Sequence, residues 1–561
     1  MAGLFSISGS AATSSAQYPS ILDIQRQARP PRDRRGAMSR LAGKSTLKLL
    51  FIRPPHHYWP IINDSDNFLV PLAYPALAAW LRHQLPWLEI EILDCCVEQV
   101  GFKSLARELR RRKPDVVAIG EKTLFAHDAL RAFDITRETL PDAVTVGGGH
   151  IFSHEPEWAL SACEGLDYCI RFEGERAFER FLQVAREGGQ EEDTWSLVWF
   201  AEDGERKTSP LAPVIEDLDT LPPAAFDLVP MRRYSPMGML YPQGATIQRS
   251  RGCVDTCRFC SWIAMENRHA EAADGSIVDS PLFRSKSVDK VMDEVDELYR
   301  RHGVRYLFWV DATWNVGDRW LQGYSEQIQK RRYDLGWWAF TRYDMLPRQH
   351  RNGTLKAVVD AGLRHVLVGV ERAAQGFDFL DKHRYTEDGA IEAFHILRDH
   401  YPEVFRQGTF ITGIRSDTPQ SIRELLDHAF ACDVDFAAFH VCTPFPGTPL
   451  YREAVAKGWL EEHDFTRYDM FSPIMGTEHM SRAEVARWTS WAQRSFVMRK
   501  PLRYARRMFS RHRMRRRLHR WFFLSIQRVL AYQAWNALRG RGRFEGFSGV
   551  NKMWKPGWYE S

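Results

Sequence analysis

Residues 251–261 read RGCVDTCRFCS and place Cys253, Cys257 and Cys260 at the spacing C-x3-C-x2-C. Thiolates this close together can hold one compact metal centre, and only three are supplied. Because a cubane iron–sulfur cluster normally takes four cysteines, a site with three leaves one iron open for an external ligand. The spacing therefore predicts that these cysteines hold a [4Fe-4S] cluster, and we expect its open iron to make them the catalytic centre.

Zinc and disulfide bonds are the alternatives to a cluster. A structural zinc site would need a fourth Cys or His, and His269 lies nine residues after Cys260, so spacing alone leaves zinc open. A disulfide framework is disfavoured because the chain has 561 residues, nine cysteines and no secretory signal pattern. The glycine Gly252 and the aromatic Phe259 in the same loop favour the cluster.

Composition limits the class of protein. A length of 561 residues predicts two to four domains, and 44% hydrophobic with 26% charged residues is typical of soluble globular proteins. No apolar run reaches the roughly 18–20 residues that cross a bilayer. Free cysteines in this number indicate a reducing compartment, so we expect a cytoplasmic protein.

The first 46 residues differ in composition from the rest. They are rich in Ser, Ala, Arg and Pro, contain few acids, and lack the apolar core of a signal peptide. This pattern predicts a disordered extension over residues 1–46, with a transit peptide as the alternative. Met38 is a second candidate for the translation start, because the first convincing strand follows it closely.

Strand and helix patterns alternate through residues 47–200. We predict strands at 47–52, 88–94, 115–120, 143–149 and 168–170, with helices between them. This alternation predicts a doubly wound, Rossmann-like parallel sheet, whose ligands lie at the carboxyl ends of the strands. The run Gly147, Gly148 and Gly149 stands at such an end, although a glycine run alone equally fits a tight turn without a ligand.

A second αβ pattern follows a proline-rich linker at 201–240. Six predicted strands, near 246–249, 306–311, 337–340, 365–371, 408–413 and 436–441, alternate with helices through residues 241–460. They predict a partial (β/α)6, TIM-like barrel with its chemistry at the carboxyl ends of the strands. Four residues at those ends are candidate binding residues, each acid having a salt bridge as its alternative role: Asp311, Arg342, Glu371 and Gly413.

The cluster motif resembles the C-x3-C-x-aromatic-C signature of the radical S-adenosylmethionine (SAM) superfamily. The first half resembles the cobalamin-binding domain that precedes the radical SAM domain in B12-dependent members. The resemblance covers about residues 47–460. Its further motifs are Arg53-Pro54-Pro55, Leu93-Asp94, residues 114–120, Gly147-Gly148-Gly149-His150, Phe172-Glu173-Gly174-Glu175, residues 369–372 (GVER) and residues 443–450 (TPFPGTPL).

This resemblance implies three cofactors, namely the [4Fe-4S] cluster, SAM and cobalamin. It implies that Phe259 and Gly413 lie near the adenine of SAM, and that Asp311 pairs with the SAM ammonium. Arg342 and Glu371 are then further contacts to SAM or substrate. For cobalamin the implied contacts are Asp94, Thr123, Gly147, Gly148 and Gly149.

The lower face of the cobalt has no predicted ligand. Asp94 is followed by Cys95-Cys96-Val97-Glu98, so position 96 lacks the histidine of the D-x-H-x-x-G type of B12 site. The lower face is then open, bound to water or held by another group. Cys95 and Cys96 are candidates, but buried structural thiols are the favoured interpretation.

The resemblance implies an enzyme that uses a flavodoxin- or ferredoxin-type electron donor to cleave SAM to a 5′-deoxyadenosyl radical. The favoured activity is transfer of a methyl group from methylcobalamin to an unactivated carbon of a small or lipid-like substrate. The alternative is a cyclase that resembles the anaerobic magnesium-protoporphyrin IX monomethyl ester cyclase. A non-catalytic cobalamin- or redox-responsive binding protein is the remote alternative.

The last 101 residues, 461–561, predict a helical, Arg-rich region. Nine arginines lie between Leu502 and Arg520, and the apolar stretch 521–532 follows. Such a segment either lies on an anionic membrane surface or packs on the barrel with its arginines in solvent. Nucleic acid is disfavoured as a partner, because no basic–aromatic pattern of a known module is present.

Overall fold

The fold was examined in a computed structural model. The structure describes residues 37–57, 69–201, 203–234, 243–272, 277–373, 376–382, 384–499, 501–540, 543–544, 546 and 555–561. Two parallel sheets follow each other along these residues, as the alternating pattern predicts. Residues 1–36, most of the predicted extension, lie outside the described part.

The first sheet has seven strands in the order β2-β1-β3-β4-β5-β6-β7. The four neighbouring pairs from β2 to β5 run parallel, and β6 and β7 add an antiparallel edge. Helices cover both faces, so the central strands are apolar throughout. The strands are β1 Leu47–Arg53, β2 Leu88–Asp94, β3 Val116–Gly120, β4 Val144–Gly148, β5 Tyr168–Ile170, β6 Leu197–Phe200 and β7 Arg206–Thr208.

The described residues of this first domain form seven α-helices. They are α1 Ala73–Gln84, α2 Cys95–Glu98, α3 Phe102–Arg112, α4 Ala126–Thr139, α5 His150–His154, α6 Pro156–Ala162 and α7 Gly174–Glu187.

The second sheet has six strands, all parallel to their neighbours, in the order β17-β16-β15-β14-β13-β8. This is the predicted partial barrel. Two short antiparallel pairs, β9 with β12 and β10 with β11, flank the cluster loop. The strands are β8 Gly244–Ile247, β9 Ser250–Arg251, β10 Arg268–Glu271, β11 Ile277–Ser280, β12 Arg284–Ser285, β13 Tyr306–Trp309, β14 Gly336–Thr341, β15 Leu363–Glu371, β16 Phe405–Thr412 and β17 Phe436–Val441.

Helices cover the outer face of this sheet, where Trp309, Trp337 and Val366 join the main core. The helices are α8 Ile263–Glu266, α9 Val288–Arg300, α10 Asp318–Arg331, α11 Leu346–Arg351, α12 Thr354–Ala361, α13 Glu387–His400, α14 Pro419–Ala431 and α15 Pro449–Ala456.

The C-terminal region is helical, as predicted, with α16 Arg482–Met498, α17 Pro501–Arg507 and α18 Arg513–Leu538. Leu518 and Phe522 of α18 are buried against Tyr306 and Phe405. Those two residues begin β13 and β16, so α18 closes the amino-terminal end of the barrel. Among the described residues, none of the helices combines the length and the apolar character needed to cross a membrane.

Two boundaries differ from the sequence prediction. Residues 37–46, predicted to be disordered, are placed on the first domain, because Met38 and Leu41 bury their side chains there and the Met38 amide donates to the Tyr168 hydroxyl. The first sheet also continues past residue 200 to Thr208, since β7 pairs with β6.

Candidate active site

The carboxyl ends of the two sheets face each other. His150 and His154, which follow β4, contact Phe445 and Gly447, which follow β17. Gly447 has a φ of +82°, and a Cβ there would lie 2.1 Å from His154 Nδ1. Only glycine fits this turn, so the two domains meet closely where both would bind their cofactors.

The three cysteines of the motif lie in one small cluster between the sheets. Cys253 and Cys257 are buried together with Ile263, and Cys260 and Phe259 pack against them. Burial raises the pKa of Cys257 above its usual range and that of Cys260 to about 11. Because a cluster binds thiolates, loading it here must release protons. Within the described residues, no group of three His, Cys, Asp or Glu side chains is arranged so that it could hold a metal ion, so the assignment depends on the motif.

Asp311 holds the start of the cluster loop. Its fully buried carboxylate accepts hydrogen bonds from the backbone N–H of Arg249 and Ser250 and from the Ser250 hydroxyl. Burial raises the pKa of Asp311, against the opposing effect of Arg249. In this structure the carboxylate therefore positions the loop, and its contact with the SAM ammonium stays a prediction.

The first domain also holds the cluster loop, through its Phe172-Glu173-Gly174-Glu175 turn. Glu175 forms an ion pair with Arg251, two residues before the first cysteine. Glu173 binds Arg284 through both guanidinium NH2 groups, at 2.5 and 3.1 Å. These buried pairs connect the B12-like half of the chain directly to the cluster loop.

A third anchor comes from the other side of the barrel. Arg342 NH1 lies 2.6 Å from Asp255, which stands between the first two cysteines. The Tyr385 hydroxyl donates to the same carboxylate at 2.8 Å, and Asp344 accepts from Arg342. Arg342 is thus occupied in holding the loop, and its predicted contact with SAM or substrate is untested.

Glu371 and Lys382 form a buried pair beside the cluster. Lys382 Nζ lies 3.0 Å from Glu371 Oε1, and Glu371 adopts a φ of +66°, which is rare outside glycine. Burial alone would lower the pKa of Lys382, but Glu371 and the neighbouring Cys257 raise it above its usual value. Sequence reasoning missed Lys382, because it lies in a loop with no periodic pattern.

Phe259 packs against an apolar cluster that includes Ile411 and Ile414, which lie on either side of Gly413 in the chain. Gly413 has a φ of +76°, and its N–H donates to Asp417 at 2.7 Å. Their predicted contact with adenine remains a prediction.

The zinc alternative loses its fourth ligand. His269 Nδ1 lies 2.8 Å from Asp279, and Nε2 lies 3.3 Å from the Met265 carbonyl. The His269 ring also stacks on Phe172, with centroids 3.7 Å apart. Both ring nitrogens therefore have partners away from the three thiols.

The carboxyl edge of the first sheet fits a large cofactor. A Cβ at Gly148 would meet no atom within 4 Å, so the backbone there is open to a ligand. A Cβ at Gly149, whose φ is +82°, would lie 2.8 Å from the Glu121 carbonyl oxygen, so only glycine fits at that position. Thr123 Oγ1 lies 2.8 Å from His150 Nδ1, and His150 Nε2 is buried without a partner. An orphaned donor or acceptor beside an open glycine backbone is what a missing polar ligand leaves.

Asp94 has a structural role. Its carboxylate, at the end of β2, pairs with Arg53 at 3.2 Å and accepts from the Tyr234 hydroxyl at 2.8 Å. It also caps α2 through the N–H groups of Cys96 and Val97. Both carboxylate oxygens of Asp94 therefore have hydrogen-bond partners within the protein. The predicted contact of Asp94 with cobalamin is not tested.

Comparison with known proteins assigns both domains. The family model of the B12 binding domain matches residues 58–182, and that of the Radical SAM superfamily matches residues 247–429. An uncharacterized methyltransferase from Pyrococcus horikoshii is 25% identical over 454 residues, 81% of this chain and 93% of the relative. The anaerobic magnesium-protoporphyrin IX monomethyl ester cyclase of Cereibacter sphaeroides is 26% identical over 475 residues, 81% of this chain and 71% of the relative.

Among solved structures, the cobalamin-dependent S-adenosylmethionine radical enzyme OxsB shares the fold. Its TM-score is 0.63 at 15% identity, covering 87% of this chain and 73% of that chain. Each of the two matched segments lies within the residues that form one of the two sheets, 47–208 and 244–441. The chain thus carries a B12-binding domain followed by a radical SAM domain, and it is a radical SAM enzyme. The predicted fold class and cofactor set are confirmed at the level of these domains.

Proposed function

We propose that the enzyme transfers a methyl group to an unactivated carbon of a small or lipid-like substrate. The observation that carries this proposal is the meeting of the two carboxyl edges, where Gly447 of the barrel touches His154 of the first domain. A methyl donor on one edge and a substrate radical on the other would then be neighbours. The P. horikoshii relative, named as a methyltransferase, supports the same activity.

The chain's own residues have defined tasks in this proposal. Cys253, Cys257 and Cys260 hold the cluster, while Arg251 and Asp255 are fixed by the anchors described above. The cluster and SAM supply the 5′-deoxyadenosyl radical, and cobalamin supplies the methyl group. Buried walls around the thiols exclude water, which protects a radical from side reactions.

Transfer is tested with methyl-labelled SAM. Reconstituted enzyme, a flavodoxin- or ferredoxin-type donor and candidate substrates are incubated without oxygen. We expect label in the product and one 5′-deoxyadenosine released for each transfer. Product formed without label would refute methyl transfer, and reductant-dependent incubation without any 5′-deoxyadenosine would point to a non-catalytic binding protein.

Cyclisation is the second candidate, because the C. sphaeroides relative named as a cyclase is 26% identical over 81% of this chain. The same incubation separates the two activities. A cyclase would consume SAM and give an oxidised ring product that carries no label.

Contact with a membrane surface is a further part of the proposal. Leu524, Trp535 and Leu538 lie along one exposed side of α18, with exposed Leu502 and Phe509 before it, among the arginines of this region. Apolar side chains beside cations favour an anionic lipid surface. We expect co-sedimentation with anionic vesicles that Leu524→Glu weakens, and equal binding to neutral vesicles, or none to either, would refute the contact.

A further inference from the structure

Three histidines at the carboxyl edge of the first sheet keep a buried ring nitrogen without a partner. They are His56, after β1, and His150 and His154, after β4. Nitrogen that is buried and unpaired is costly, so each of these rings calls for an explanation. The neighbouring elements distinguish one of the three from the others.

His56 lies at the point where the strand order reverses. The order β2-β1-β3 sends the chain from β1 to one side and from β3 to the other, and ligands of such sheets bind above this gap. His56 stands three residues after the end of β1. Its ring packs on Phe125, which follows β3, with centroids 3.9 Å apart. The ring therefore bridges the two strand ends at the gap.

The hydrogen bond of His56 fixes its tautomer. His56 Nδ1 lies 2.8 Å from the carbonyl of His57. A carbonyl can only accept, so Nδ1 carries the proton and the lone pair remains on Nε2. Metal-bound histidines show this arrangement, in which one nitrogen donates to a carbonyl and the other binds the metal. By contrast, the partner of His150 Nδ1 is the Thr123 hydroxyl, which can donate or accept and leaves that tautomer open.

The protonation state of His56 also suits a metal ligand. Burial, and then the charge of Arg53, holds the pKa of His56 well below its usual value, so the ring is neutral at physiological pH. The carbonyl that orients it is itself held in place. His57 lies 3.6 Å from Asp128 and packs on Tyr559, whose hydroxyl donates to Asp128. The last residues of the chain thus brace the His56 loop.

We propose that His56 Nε2 is the protein ligand on the lower face of the cobalamin cobalt. The assignment rests on the cobalamin binding proposed above. It supplies the axial group that position 96 lacks, from a different strand end. His150 and His154 follow β4, two strands along the edge from β1, and lie beside the barrel.

Electron paramagnetic resonance of the full-length protein loaded with cob(II)alamin tests the assignment. An axial ¹⁴N ligand splits each cobalt line into three, and ¹⁵N splits it into two. The benzimidazole of cobalamin itself carries ¹⁴N, so wild-type protein is prepared with and without [¹⁵N]histidine. We expect the labelled protein to show two-line splitting, and His56→Gln to lose it while His150→Gln keeps it.

The outcomes separate this assignment from the proposed function. Bound cobalamin in the absorption spectrum without histidine-dependent splitting would overturn the His56 ligand alone. Loss of splitting in His150→Gln but not in His56→Gln would overturn it in favour of His150. If wild-type protein takes up no cobalamin, both proposals fail. Should His56→Gln not fold, two-line splitting that persists in His57→Gln, His150→Gln and His154→Gln still assigns His56 among the histidines of this edge.

Discussion

Asp435 is the counter-ion that docks the C-terminal helices, and we predict that Asp435→Asn releases them. Its fully buried carboxylate lies just before β17, at the closed end of the barrel. It accepts a hydrogen bond from the Arg406 backbone N–H at 3.0 Å. Its Oδ1 lies 2.6 Å from the Arg515 guanidinium and 3.1 Å from the Arg507 guanidinium. His519 lies 3.5 Å away. One acid thus compensates several cations, two of them on α17 and α18.

The magnitude follows from the burial of these charges. Removing one partner of a buried ion pair costs about 3–5 kcal/mol, because the other charge stays buried and unpaired. At 1.4 kcal/mol for each factor of ten, detachment of the helices becomes roughly a hundredfold or more frequent. Asp433→Asn is the matched control, since this carboxylate is 25% exposed and its pairs with Arg503 and Arg507 are worth less than about 1 kcal/mol.

Limited trypsin digestion measures the detachment, because α17 and α18 are rich in arginine. We expect cleavage in α18 to be roughly a hundredfold or more faster for Asp435→Asn and at most about fivefold faster for Asp433→Asn. Burial alone would raise the pKa of Asp435, but Arg406, Arg507, His519 and Arg515 hold it well below 3.8. Its contribution to docking is lost only as the pH falls through the folded-state pKa, so it is fully present at the neutral pH of the digestion. Equal cleavage rates at pH 7 would refute the reasoning.

Three further predictions concern the loop, the domain contact and pH. Asp311→Asn turns an amide NH2 toward backbone N–H donors, which costs about 1–3 kcal/mol. We expect less bound iron and sulfide after reconstitution, while the circular dichroism spectrum stays unchanged. Full cluster content in the variant would contradict this. Gly447→Ala should lower the free energy of unfolding by at least about 2 kcal/mol in calorimetry, because the added Cβ is strained and overlaps His154. The control Gly458→Ala, at a φ of +64° with open space around it, should cost about 1 kcal/mol. Equal losses in the two variants would contradict the close contact between the domains. Burial raises the pKa of Glu155, which forms a hydrogen bond with Tyr451, to about 7. The folded state therefore loses stability as the pH rises from 4.5 to 7. Glu155→Gln should abolish that loss and be up to ~3 kcal/mol more stable than wild type at pH 8, and an unchanged pH profile of thermal unfolding would refute this.

Much of the fold could be predicted because its parallel strands are buried apolar runs. The predicted strands at 88–94, 168–170 and 436–441 agree with β2, β5 and β17 at both ends. The strands β7, β10 and β11 were missed because they are short, polar and half-exposed, so no hydrophobic pattern marks them. Packing of α18 on the barrel was one of two open alternatives. The buried Leu518 and Phe522 place one side of the helix there, and the membrane contact proposed above concerns its exposed side.

The sequence predicted where the site residues lie in the fold, but not which residues form hydrogen bonds with them. Sequence reasoning placed Asp311 and Asp94 at strand ends, yet their hydrogen-bond partners Ser250 and Tyr234 are 61 and 140 residues away in the chain. Such partners depend on how the domains pack, which no local pattern encodes. The histidine of the β1 loop was missed for a related reason, since the search for an axial ligand was confined to the end of β2.

Three thiolates that hold a cubane cluster would leave one iron for SAM. Mössbauer spectroscopy of ⁵⁷Fe-reconstituted protein with and without SAM tests this arrangement. We expect a [4Fe-4S] spectrum in which a single iron shifts when SAM is added, and loss of that spectrum in Cys257→Ala. Protein that retains zinc in place of iron and sulfide, or a cluster whose irons do not respond to SAM, would contradict it.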